Sequence, residues 1–202
     1  EVADLIHKEL GKIKIICLVR SPIERTISHI KQLQRKGLIE LKSSKIHIKK
    51  LKEIENRFTE TIAFSMYSEH ISHYNEIFSS KNVLVINLSD CEKNPDKVLS
   101  SVWSFLNVTA SKISITDENI SKGIIPKNAR LERTRIKIYD FLYHNFPKAI
   151  SIIKKLKIGE LYRSLNNSSD ELMLSDEAET YLNNKFKNDW ERTIKYTEKF
   201  DF

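Results

Sequence analysis

Arg20 and Ser28 stand eight positions apart across a strand-to-helix junction, and together they could grip a phosphate group. A guanidinium offers a planar fork of donors that matches phosphate oxygens, and a hydroxyl adds one more. The residues between them read as a helix start. Ser21 can act as N-cap, Pro22 suits the first helical position, and Glu24 completes a Ser-x-x-Glu capping box. Amides at a helix N-terminus, backed by the helix dipole, make a ready anion site. At about 100° per residue, Ile23, Ile27 and Ile30 form one apolar stripe, while Ser21, Arg25 and Ser28 fall on the opposite side. The competing reading pairs Arg20 with a surface carboxylate and leaves Ser28 merely solvated.

These side chains need a scaffold behind them. Residues 13–19 are apolar except for Lys14, as expected of a strand covered on both faces of a parallel sheet. Residues 83–88, VLVINL, read as a second buried strand. Residues 1–10 read as an amphipathic helix with Val2, Leu5, Ile6 and Leu10 inward, and His7 and Glu9 on its exposed side. Neither His7 nor Glu9 is taken as a catalytic base, and none is assigned. Asn94-Pro95-Asp96 opens a further helix that ends in Trp103-Ser104-Phe105-Leu106-Asn107-Val108. Beyond Pro126 the pattern is helical: 131–146 and 149–156 around Pro147, a polar break at 166–170, and a last helix capped by Ser175. Ala178, Leu182, Phe186, Trp190 and Ile194 form the inner face of that last helix.

The run R-S-P-I-E-R-T-I-S, Arg20 to Ser28, resembles the 3′-phosphate-binding motif of PAPS-dependent sulfotransferases, in their bacterial and glycan-type branch. PAPS is 3′-phosphoadenosine 5′-phosphosulfate. The downstream order is similar too: Ser65 to His70 at a helix start, Leu88-Ser89-Asp90 after the second strand, and the helix ending in Phe105-Leu106-Asn107-Val108. Leu88 stands where many relatives carry an aromatic, which puts adenine stacking there in doubt. The resemblance implies an α/β domain with a P-loop-NTPase-like parallel sheet flanked by helices and a helical C-terminal part, one domain over 1–202. It implies transfer of a sulfuryl group from PAPS to a hydroxyl or amine acceptor, with PAP as product. Arg20 and Ser28 would hold the 3′-phosphate. A basic loop in 119–130, with Lys122 and Gly123, would close over it; an ordinary basic surface connection is the other reading.

One departure limits the resemblance. Relatives carry a strand and a lysine-containing loop for the 5′-phosphosulfate, and none of the four glycines here sits in such a loop. The expectation is a chain representing the C-terminal portion of a longer domain. The alternative is a non-catalytic nucleotide- or polyanion-binding module that keeps only the 3′-phosphate site.

Composition narrows the classes. With 202 residues, 40% of them hydrophobic, the chain can bury a substantial core. No apolar run approaches the ~18 residues of a membrane span, and a bacterial source would place the protein in the cytoplasm. Cys17 reads as a buried thiol and Cys91 as a loop thiol, with no His/Cys spacing for a metal. The net charge is +7, and residues 31–52 are rich in lysine with hardly an acid among them. Such a rim would suit an acidic or already sulfated glycan by long-range attraction, or be a solvated helical face. Basic and aromatic residues do not interleave as in a nucleic-acid platform.

Overall fold

The apolar runs pair as expected. In the computed structural model, β1 (Ile15–Val19) and β3 (Val83–Asn87) lie parallel, in register from Ile15 opposite Val83 to Val19 opposite Asn87. The structure describes residues 2–109, 125–146, 148, 150, 153, 155–168 and 171–197. Before β1 comes α1 (Val2–Leu10), and between the two strands come α2 (Pro22–Arg35), a short β2 (Lys45–Ile46), α3 (Ile48–Arg57), α4 (Glu60–Ala63) and α5 (Ser68–Phe78). After β3 follow α6 (Leu88–Lys93), α7 (Pro95–Leu106), β4 (Ile125–Pro126), α8 (Ala129–Asn145), α9 (Ile158–Asn166), β5 (Asn167–Ser168), β6 (Met173–Leu174) and α10 (Asp176–Thr197). The fold is α/β, with short parallel pairing flanked by helices and a largely helical C-terminal part. No helix among the described residues is long and apolar enough to cross a membrane.

The chain forms two compact units: Glu1–Arg25, Ile62–Asn119 and Leu182–Phe202 in the first, Thr26–Thr61 and Ile120–Tyr181 in the second. In the first unit, helices cover both faces of β3. Val83 and Val85 pack with Ala3, Val19, Ile71 and Phe78, while Leu84 and Ile86 pack with Val98 of α7. Alternation along the strand thus divides one apolar run between two cores. Lys14, the polar interruption before β1, reaches the carbonyl end of α7: its Nζ donates to the Phe105 carbonyl and lies over the Phe105 ring. A cation there satisfies an orphan carbonyl and suits the dipole. Asn107 closes α7 in the left-handed region, at φ 59°.

The structure corrects several sequence expectations. The strand β1 is not covered on both faces. Ile15, Cys17 and Val19 join the core, but Ile16 is 40% and Leu18 62% exposed, beside the buried Leu84 and Ile86 of β3. The inner face of α1 is also different. Ala3 is buried, Ile6 packs on the core and the His7 ring meets Phe78 edge-on at 5.6 Å, while Val2, Leu5 and Leu10 are exposed. His7 is therefore half-buried rather than on the exposed side. Cys91 lies in α6, not in a loop. Asn166 ends α9 as a buried residue, its side chain bonded to the Tyr162 hydroxyl and the Asn128 amide, not in an open polar break. Of the expected helix 149–156, residues 149, 151, 152 and 154 lie outside the described residues.

In the second unit, β2 runs parallel to β6 and β4 antiparallel to β5. Ile30, Leu33, Ile46, Leu51 and Ile54 are buried there. Ser175 accepts from the Ala178 and Glu179 amides, through its hydroxyl and carbonyl respectively, and so opens α10 as expected.

Candidate functional site

The chain leaves β1 at the buried Val19, passes Arg20 and Ser21, and enters α2 at Pro22. The Arg25 amide donates to the Ser21 carbonyl at 2.9 Å, which makes Ser21 the residue that opens the helix. Proline at the first helical position forgoes an N–H that would have no partner there. Glu24 does something other than close a capping box. Its carboxylate sits 3.4 Å from Arg20 Nη2, one turn away, with 64% of the side chain exposed. Such a surface pair contributes about 0–1 kcal/mol, too little to lock the guanidinium. The other side of Arg20 is unmet. Its Nε is buried and has no hydrogen-bond partner among the described residues. A buried donor left unpaired costs about 1–3 kcal/mol, which an anionic oxygen would relieve.

Arg25 is close enough to Arg20 for the two like charges to interact. Its Nη1 donates to Ser65 Oγ at 3.3 Å, and its guanidinium sits 5.5 Å from the centre of the exposed Phe64 ring. Among the described residues no carboxylate forms an ion pair with it. Burial lowers its pKa, and the like charge of Arg20 lowers it further while Tyr67 opposes. Burial raises the Tyr67 phenol pKa, against the pull of Arg25 and of the Arg20 main chain and guanidinium. The junction thus holds two cations, one exposed carboxylate and, behind Tyr67, the buried carboxylate of Asp189.

Asp189 of α10 fixes the segment facing this junction. Buried, it accepts from the Tyr67 amide at 2.8 Å, the Ser68 amide at 3.1 Å and the Ser68 hydroxyl at 2.6 Å. It thus caps α5 from outside the helix and holds Tyr67, whose ring lies 6.3 Å from Trp190.

Of the residues expected from sequence, Arg20 is at the junction and Ser28 is exposed on α2, in the second unit. Helical rise and rotation put Ser28 on the same side of α2 as Ser21. Lys122 and Gly123 lie outside the described residues. Local spacing gives Ser65 and Tyr67 no role at this junction. The signal for Arg25 was its place opposite the Ile23–Ile27–Ile30 stripe. Among the described residues, no group of His, Cys, Asp and Glu could hold a metal ion.

Two of three comparisons with known proteins return a match. A family model described as "Sulfotransferase domain" matches residues 3–137, more than half of the 202-residue chain. Among solved structures, a sulfotransferase from Alicyclobacillus acidocaldarius is similar at 19% identity and a TM-score of 0.47, over 68% of this chain and 55% of that one. This chain thus spans about half the length of that protein. The curated proteins give no match. Because that model covers more than half of the chain, the chain belongs to the sulfotransferase domain family.

Proposed function

We propose that this domain serves sulfuryl transfer from PAPS to a hydroxyl or amine, with Arg20 and Ser28 holding the 3′-phosphate of the nucleotide. The observation that carries this reading is the buried Nε of Arg20 at the start of α2, which has no partner among the described residues. The Arg20 side chain is 34% exposed, so a turn of its guanidinium brings that donor to a phosphate oxygen, and the adjacent helix N-terminus supplies further amides. Arg25 adds positive charge without contributing its own carboxylate partner, which favours a dianion over a neutral ligand. Lys122 and Gly123 would complete the enclosure from their loop.

PAPS brings an activated sulfuryl group, and its loss leaves PAP. In the transfer, an acceptor oxygen or nitrogen bonds to sulfur as the bond from sulfur to the 5′-phosphate oxygen breaks. Arg20 and Ser28 would not touch the sulfur. They anchor the far phosphate, so that remote binding energy positions the reacting end. The residue that takes the acceptor proton is unassigned. An acidic or sulfated glycan is the proposed acceptor class, consistent with the basic balance of the chain.

Calorimetric titration with PAP tests the donor site. Arg20→Ala should weaken PAP binding by about 1.5–3 kcal/mol, the range for a charged hydrogen bond. AMP, which lacks the 3′-phosphate, should bind the wild type more weakly and respond little to the substitution. An unchanged PAP affinity in Arg20→Ala would remove Arg20 from the site.

A further inference from the structure

A cavity of about 330 Å³ opens within the second unit, between the end of α2, α3 and the start of α8. Its size falls at the lower end of small-molecule pockets, which run from about 300 to 1,000 Å³. The floor is apolar. Ile39 and Ile54 are buried beneath it, and Phe58 stands half-buried at its side.

The rim carries five cations and two carboxylates, and both carboxylates are engaged. Glu40 meets Arg130 Nε at 3.4 Å, and Glu53 meets Lys50 Nζ at 2.9 Å, a contact that lowers the Glu53 pKa. Lys42, Arg57 and Arg133 have no carboxylate partner among the described residues. Arg133 is nonetheless fixed in place: its Nε and Nη2 both donate to the Gly37 carbonyl. Arg57 lies over the Phe58 ring at 5.0 Å, which directs the guanidinium without cancelling its charge. The result is a concave surface with a net excess of positive charge, in which Arg57 and Arg133 are held in position.

A solvated basic face would have neither the concavity nor the apolar floor. A bare inorganic anion would use the cations and be repelled by Glu40 and Glu53. A sugar ring bearing acidic groups uses every part. Its acidic substituents meet the cations, its hydroxyls donate to the two carboxylates, and its carbon face rests on Leu38 and Phe58. We propose that this cavity binds a saccharide unit carrying carboxylate or sulfate groups, as the recognition site for an anionic acceptor. The word acceptor rests on the transfer function proposed above; the binding itself does not.

The test titrates the full chain with a sulfated, uronate-containing disaccharide and, separately, with uncharged maltose. The acidic disaccharide should bind and weaken with added salt, and maltose should not bind. The double variant Lys42→Gln/Arg57→Gln removes two exposed charges and should weaken binding roughly tenfold or more, with PAP affinity unchanged. Restoring a cation as Arg57→Lys should recover part of the loss. Lys148→Gln/Lys155→Gln, an equal charge change at exposed positions of the same unit outside the cavity, should have little effect. Equal weakening by that control pair, or no binding of the acidic disaccharide, overturns the proposal. PAP binding without disaccharide binding would sink the cavity and leave the donor site standing. Disaccharide binding without PAP binding would do the reverse.

Discussion

Arg20 offers Nη2 to Glu24 and keeps Nε buried without an acceptor among the described residues, so part of its bonding capacity is held in reserve at the mouth of a helix. Tyr67 gives this junction a property that can be measured without any ligand. Burial raises its phenol pKa, so the folded protein holds that proton more tightly than the unfolded chain does. The resulting stability is fully present below the unfolded value near pH ~10 and is lost as pH rises through the folded one. Tyr67→Phe should therefore flatten the alkaline fall in stability, followed by denaturant midpoints between about pH 9 and about pH 11. Parallel curves for the two proteins would show that the phenol does not titrate against its surroundings. Arg20 and its capped helix were legible from local spacing alone. The contact from Arg25 to Ser65 spans 40 positions, and no periodicity encodes a partner at that distance.

Elements were easier to place than their faces. The strands and the helices opened by Pro22 and Pro95 follow from hydrophobic runs and start signals. In α1, however, the bulky Val2, Leu5 and Leu10 stay outside while Ala3 and the His7 edge go in, because the approach to α5 rewards a small side chain and a ring that fits Phe78. Periodicity yields a stripe; packing decides which stripe. The same limit hid Asp189, which sequence alone presents as one acid on a polar helix face. Asp189→Ala should destabilise the protein by roughly 2–4 kcal/mol, since it strips a cap and strands buried donors at once. Urea unfolding measures this, and Asp189→Asn, which keeps one acceptor, should lose less. A shift under about 0.5 kcal/mol would mean that water or another group replaces the carboxylate.

At the scale of the molecule, the net charge of +7 foreshadowed anionic ligands, but not where they would sit. Charge counts carry no position, and the cavity between α2, α3 and α8 is assembled from residues up to 96 apart, as in the Arg133 bond to Gly37. PAP should raise the melting temperature of the whole chain more than equimolar AMP does, because a ligand that binds only the folded form stabilises in proportion to its affinity. Equal shifts for the two nucleotides would argue against a 3′-phosphate site.

The bonds from Asp189 to Tyr67 and Ser68 join residues 122 and 121 positions apart. A ribosome delivers the chain in order, so the backbone beside Arg20 waits for the last described helix to emerge before its clamp can close. Until then α5 begins with bare amides, and the loop that must be shut is long, which makes closure a slow, late event in folding. A nascent chain stalled before residue 189 should therefore hold its two strands well before the Tyr67–Ser68 amides meet their acceptor.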